Sequence, residues 1–135
     1  MDNALKILLI EDDPDDIELM QDALRSRSLD VHLDTIKQGD LVLPFLEKSD
    51  SHPNVIVLDL NLPKMHGREV LNTLKSSLKL KYIPVIILTT SSAKREMDYC
   101  LENGASEYLI KPVTMDGFSK VVNSIIRIAR GEGFK

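Results

Sequence analysis

The sequence predicts an α/β fold, a parallel sheet of five strands with helices on both faces. Three observations predict it. Apolar runs rich in Val, Ile and Leu recur without alternation, as strands buried on both faces require. Between them lie segments with apolar residues every three or four positions, the mark of a helix with one buried stripe. The two kinds of segment alternate about five times. Repeated β-α order implies right-handed crossovers and helices on both faces of one sheet.

The elements follow in order. "LKILLI" (5–10) is the first strand. In "PDDIELMQDALRSR" the residues Ile17, Met20, Ala23 and Leu24 share one helical face. "VHLDTI" (31–36) is a weaker second strand, and Leu41, Val42, Phe45 and Leu46 form a helical stripe after Gly39. "NVIVLDL" (54–60) is the third strand; Val70, Leu71, Leu74 and Leu78 follow Gly67 as the next stripe. "IPVIILTT" (83–90) is the fourth strand. Met97, Cys100 and Leu101 precede Gly104, a natural helix stop. "EYLI" (107–110) is the fifth strand, and Phe118, Val121, Val122, Ile125, Ile126 and Ala129 form the last stripe. For such a (βα)5 chain the flavodoxin-like, doubly wound order 2-1-3-4-5 is the commonest small solution.

Composition narrows the function. The chain has 135 residues, which fits one domain over 1–135, with its elements between about 5 and 130 and a short C-terminal tail. The formal net charge is −4, which argues against coating nucleic acid. The basic residues after Pro112 (Lys120, Arg127, Arg130 and Lys135) are scattered along a helix and read as a solvated face. Cys100 is the single cysteine, so no intrachain disulfide forms, in keeping with a reducing cytoplasm; on its helical pattern it reads as a small core residue. No signal peptide is expected before Leu5, and no segment is long enough to span a bilayer.

In an open α/β sheet, chemistry sits at the carboxyl ends of the strands. The first strand ends with Glu11, Asp12 and Asp13, the third with Asp59, the fourth with Thr89 and Thr90, and the fifth with Lys111 and Pro112. Strands 1 and 3 are neighbours in the expected order, so several carboxylates crowd at one edge and repel. That crowding calls for a cation. Carboxylates with carbonyl oxygen and water suit Mg²⁺, and no Cys or His joins the cluster to favour a softer metal. Lys111 adds a fixed positive charge and Thr89 a hydroxyl. Together these groups describe a phosphoryl-transfer site in which a carboxylate acts as nucleophile and the cations neutralise the transferred oxygens.

The stretches "LLIEDD", "VIVLDLNLPKMHG", "VIILTTSSA" and "GASEYLIKPV" occur in one order across about Leu5 to Arg130. In these motifs the chain resembles the receiver domain of two-component response regulators. The resemblance implies that Asp59 is the phosphoacceptor. It implies that Asp12 and Asp59 touch Mg²⁺ directly, that Glu11 acts through water, and that the backbone carbonyl of Asn61 is a further ligand. Thr89 is then the switch hydroxyl, Tyr108 the switch aromatic and Lys111 the phosphate-binding lysine, with a cis Lys111–Pro112 bond. Thr90 and Ser91, after the switch position, would tune the lifetime of the phosphoryl group. Asp13 is an extra acid, expected to be exposed. "LDLNLPKMHGREVL" and "LTTSSA" are similar to stand-alone receivers paired with bacterial phytochrome-type histidine kinases, although His66 stands where Asp is usual. That subgroup implies a sensor histidine kinase as phosphodonor, an unidentified downstream protein partner, no attached output domain, and frequent homodimers.

Each residue also has a plainer reading. Asp13, Asp15 and Asp16 suit the first turn of a helix, and that reading is preferred for them. Lys111 alone is a surface lysine, Tyr108 a half-buried strand aromatic, and "LNLP" a proline turn. His32, His52 and His66 receive no role. Val121, Ile125 and Ile128 edge the last stripe; core packing is preferred there, with a homodimer face as the alternative. Three rival functions compete with this reading. A flavin or nucleotide binder would place a Ser/Thr/Gly-rich cradle where this chain has "EDDPDD". An aspartyl-phosphate phosphatase would carry its nucleophile in a D-x-D pattern after the first strand. A receiver-like docking module working without phosphorylation would not need the intact acid, Thr and Lys set.

Overall fold

The structure is a computed structural model that describes residues 4–131. The expected C-terminal tail therefore lies, from residue 132 on, outside the described residues. Five strands, β1 (Leu5–Ile10), β2 (Val31–Ile36), β3 (Val55–Leu58), β4 (Val85–Thr89) and β5 (Glu107–Ile110), alternate with five helices, α1 (Pro14–Arg25), α2 (Val42–Lys48), α3 (Gly67–Ser76), α4 (Lys94–Glu102) and α5 (Met115–Ala129). A short 3₁₀ turn, Gly39–Leu41, leads into α2. The strands form one parallel sheet in the order β2-β1-β3-β4-β5. This is the expected flavodoxin-like, doubly wound α/β architecture.

The unbroken apolar runs are explained by burial on both faces. Leu8, Ile10, Ile56, Leu58, Val85 and Ile87 pack against residues of α2, α3 and α4, among them Val42, Leu46, Leu71, Leu74 and Cys100. Their neighbours in sequence, Ile7, Leu9, Val55, Val57, Ile86 and Leu88, point the other way onto α1 and α5 through Met20, Leu24, Val122 and Ile125. Successive side chains on a strand face opposite sides, so a strand covered on both must be apolar throughout.

Helix ends follow local chemistry. Asp13 caps α1 by accepting from the Asp15 N–H at 2.9 Å, with Pro14 in the first turn. Thr114 caps α5 through the Gly117 N–H at 3.0 Å. His66 caps α3, its Nδ1 accepting from the Arg68 N–H at 3.1 Å.

Some expected core positions lie outside it. Leu41 and Phe45 are exposed, because the 3₁₀ turn before α2 resets the helical phase and leaves Val42 and Leu46 facing inward. Leu78 is 79% exposed: α3 ends at Ser76, and Leu80 and Ile83 take the core places beyond it. Leu101 is also exposed, leaving Cys100 as the fully buried residue of α4. In α5, Val121, Ile125 and Ile128 are all buried within the chain, so core packing accounts for that stripe.

Candidate functional site

The site is built from the carboxyl ends of β1, β3, β4 and β5. The parallel register sets Ile10 beside Leu58. The next residue on each strand therefore emerges at the same edge: Glu11 from β1 and Asp59 from β3. Backbone bonds fix both. The Asp59 N–H donates to the Ile10 carbonyl at 3.0 Å, and the Glu11 N–H to the Ile36 carbonyl at 2.9 Å. Carboxylate oxygens of Glu11, Asp12 and Asp59 all lie within 4.8 Å of one another. Glu11 and Asp59 are buried, whereas Asp12 opens to solvent. An all-oxygen donor set with one exposed member fits a hard divalent cation that keeps part of its water shell.

Lys111, just past β5, reaches into this group. Its Nζ lies 2.8 Å from Glu11 Oε1, 2.8 Å from Asp16 Oδ2 and 3.1 Å from Asp59 Oδ2. The Lys111 N–H donates to the Thr89 carbonyl at 2.7 Å, which ties the ends of β4 and β5 together. Because β4 lies between β3 and β5, Thr89 stands between Asp59 and Lys111 along the sheet edge. Thr89 is fully buried, and its Oγ1 finds no hydrogen-bond partner among the described residues. A buried hydroxyl is normally satisfied, so this one has hydrogen-bonding capacity to spare at the edge of the acidic cluster.

Electrostatics reflect the crowding. Burial pushes the Glu11 carboxyl up to about 7; the bond from Lys111 opposes the rise, the charge of Asp59 adds to it, and the Asp13 N–H at 3.1 Å opposes it again. For Lys111, burial alone would lower the pKa, but its bonds to Asp16 and Glu11 and the charge of Asp59 outweigh this and raise it. The lysine is a fixed cation at any physiological pH.

The remaining expected residues are placed as follows. The Asn61 N–H approaches Asp59 Oδ1 at 3.4 Å, so the turn after β3 folds back over the acid. Tyr108 is half-buried on β5; its hydroxyl donates to the Ser91 carbonyl at 2.9 Å, and burial raises its pKa. Asp13 is exposed, as expected. The expected cis Lys111–Pro112 bond is not present: the described residues contain no cis peptide bond. The trans isomer is intrinsically preferred by about 0.5–1 kcal/mol, and here the Lys111 side chain reaches the acids without the other isomer.

The sequence reading missed three contributors. Asp16 was assigned to the helix start, yet it contacts Lys111 from the first turn of α1. The available signal was a surplus: Asp13 alone caps the helix, which leaves a second nearby acid unexplained. His66, given no role, caps α3. Gly67 permits a close approach, since a Cβ there would stand 2.4 Å from the Asp59 carbonyl oxygen and 2.6 Å from the Leu60 Cα. Its N–H donates to the Leu60 carbonyl at 2.9 Å, so α3 starts directly against the strand end that carries Asp59.

Comparison with known proteins agrees with this geometry. Residues 7–123 match the response regulator receiver domain family. Response regulator Rcp1 of Synechocystis sp. is 37% identical over 124 residues, covering 88% of this chain and 84% of that protein. The crystal structure of the phosphorylated cyanobacterial phytochrome response regulator RcpA superposes with a TM-score of 0.86 at 32% identity, covering 94% of each chain. The Mn²⁺-bound form of Rcp1 gives a TM-score of 0.82 at 36% identity, covering 91% of this chain and 92% of that one. Proteins of this kind are signalling proteins rather than ordinary enzymes, and they bind a divalent metal. No helix among the described residues is long and apolar enough to cross a membrane. With the motif order, the sheet and the Glu11–Asp12–Asp59 cluster all in agreement, the chain belongs to the response regulator receiver domain family.

Proposed function

We infer that the chain is a cytoplasmic receiver that takes a phosphoryl group onto Asp59 from the phosphohistidine of a sensor kinase of phytochrome type. One observation carries the reading. Asp59, its two acidic neighbours, the ammonium of Lys111 and the unpartnered hydroxyl of Thr89 meet at one edge of the sheet. The similarity to Rcp1 and RcpA supports the kind of kinase.

An Asp59 carboxylate oxygen attacks phosphorus in line. A P–O bond forms while the P–N bond to the kinase histidine breaks, and the leaving imidazole takes up a proton. Asp12 and Asp59 would hold Mg²⁺ directly, with Glu11 through water and the Asn61 carbonyl as a further ligand. That ion supplies charge neutralisation for the entering oxygens. Lys111 turns one N–H from Asp59 to a phosphoryl oxygen, and Thr89 donates its hydroxyl to another. Hydrolysis returns the carboxylate, so the chain acts only on its own phosphoryl group.

The added charge biases a two-state element. Thr89 moves toward the phosphoryl group, and Tyr108, on the same face of the sheet, follows. The surface near β5 then changes shape for a downstream protein. Exposed Leu101, Ile110, Val113 and Met115 supply its apolar part. A homodimer would use a surface other than the α5 stripe, which is taken by the chain's own core. Residues 5–130 act as one receiver domain in this reading. A docking module without phosphorylation is not favoured, since every group of the transfer site is present.

The test is incubation with Mg²⁺ and a small phosphodonor, read by intact mass. The chain should gain one phosphoryl group and Asp59→Asn none. Labelling that persists in Asp59→Asn would reject the assignment.

A further inference from the structure

Asp16 is the carboxylate of the Lys111 cluster that stands outside the metal-binding trio. An ammonium has three N–H donors. In this structure the three carboxylates around Nζ, those of Glu11, Asp16 and Asp59, match them in number. Under the proposed function, on which this inference rests, Glu11 and Asp59 turn to the metal and the phosphoryl group. Asp16 has no such duty. It does not cap α1, because Asp13 does. It reaches Lys111 across 95 residues of sequence, from a helical turn that overhangs the strand ends. A lysine side chain is a flexible four-carbon stem, and its head stays aimed only while something holds it.

We propose that Asp16 is a positioning residue: it tethers the Lys111 ammonium at the pocket, leaving the donor now on Asp59 free to turn to the incoming phosphoryl group. The tether persists while the other two acids change partners. Its effect on chemistry passes through Lys111 alone.

The experiment compares wild type, Asp16→Asn, Asp16→Glu, Lys111→Ala and the Asp16→Asn/Lys111→Ala double variant. The first readout is the initial rate of phosphorylation by phosphoramidate at saturating Mg²⁺. Losing one charge-assisted bond to a mobile ammonium should slow Asp16→Asn about tenfold. Asp16→Glu, which returns the carboxylate, should recover most of the rate. In the Lys111→Ala background the same Asp16→Asn change should have no effect. A second readout needs no chemistry: ¹H–¹⁵N spectra of lysine ammonium groups in the Mg²⁺-saturated protein, where Glu11 and Asp59 face the metal and Asp16 alone is left to hold Lys111. Wild type should show a protected Lys111 signal that Asp16→Asn loses, and the amide spectrum of the same sample reports folding.

The proposal is overturned by an unchanged rate in Asp16→Asn, by an equal loss with and without Lys111, by failure of Asp16→Glu to recover, or by an ammonium signal indifferent to Asp16. If wild type itself takes up no phosphoryl group, the proposed function fails, and the ammonium spectra still decide the tether.

Discussion

Metal binding at this site should depend steeply on pH near neutrality, and the cause is Glu11. Burial raises its carboxyl from an ordinary 4.5 to about 7 in the metal-free chain. A raised carboxyl pKa means that the folded state prefers the neutral form. Below about pH 4.5 both folded and unfolded chains hold the proton and no penalty arises. As pH rises toward 7 the unfolded chain ionises freely while the folded chain resists, so stability falls across that window. Above 7 the penalty is fully present, about 3 kcal/mol for a shift of this size. Lys111 stays charged throughout and adds nothing to the slope there. Glu11 would hold the ion's water only as a carboxylate, so below pH 7 each unit of pH should weaken apparent Mg²⁺ affinity by up to about tenfold. Calorimetric titration from pH 5.5 to 8.5 measures this directly. In buffers of different ionisation enthalpy it should also show close to one proton released per ion at pH 6 and almost none at pH 8.5. Thermal melts of the metal-free chain should fall as pH rises from 5 to 8, and saturating Mg²⁺ should abolish the fall. An affinity that is flat between pH 6 and 8 would refute the reasoning, because it would mean that Glu11 is already ionised.

Two further outcomes follow from single atoms. Thr89→Val removes a buried hydroxyl without a partner, whose burial costs about 1–3 kcal/mol. Urea unfolding should show the unphosphorylated variant at least as stable as wild type, whereas a clear loss would mean that Oγ1 has a partner after all; Asp59 should still be labelled, with the phosphorylation-dependent change at Tyr108 absent. Gly67→Ala sets a Cβ 2.4 Å from the Asp59 carbonyl oxygen, a backbone atom that cannot swing aside. The start of α3 must shift, at a cost of about 1–3 kcal/mol, so both melting temperature and phosphorylation rate should drop, and an unchanged melting temperature would count against the tight packing of α3 on β3.

The sheet was legible because burial on both faces leaves a one-dimensional trace. Runs such as "VIVL" and "VIILT" carry it, and the strand order then follows from few alternatives. Glu11, Asp12 and Asp59 were legible for the same reason: adjacent parallel strands deliver the residues after their last paired positions to one edge. Leu41, Phe45 and Leu78 were misplaced because apolar spacing alone does not reveal a 3₁₀ turn or a helix that stops at Ser76. Asp16 was hidden for a deeper reason. Its contact depends on how α1 leans over the end of β5, a relation between elements 95 residues apart that no local pattern records.

The crowding of acids, read from sequence, demanded a cation, and the structure answers with Lys111. That answer is incomplete in charge. Glu11, Asp12, Asp16 and Asp59 bring four carboxylates to one ammonium. One lysine cannot neutralise them, and the imbalance has two outlets. A proton on Glu11 relieves it, and burial, with the charge of Asp59 adding to it, already favours that proton near neutrality. A divalent ion held by Asp12 and Asp59 would relieve it further and favour the Glu11 carboxylate. Only the second outlet suits phosphoryl transfer, because the entering group brings still more negative charge and a protonated Glu11 offers it no counter-ion. Proton and metal are therefore alternatives at one edge of the sheet, and the chain is poised for phosphorylation to the extent that the metal prevails.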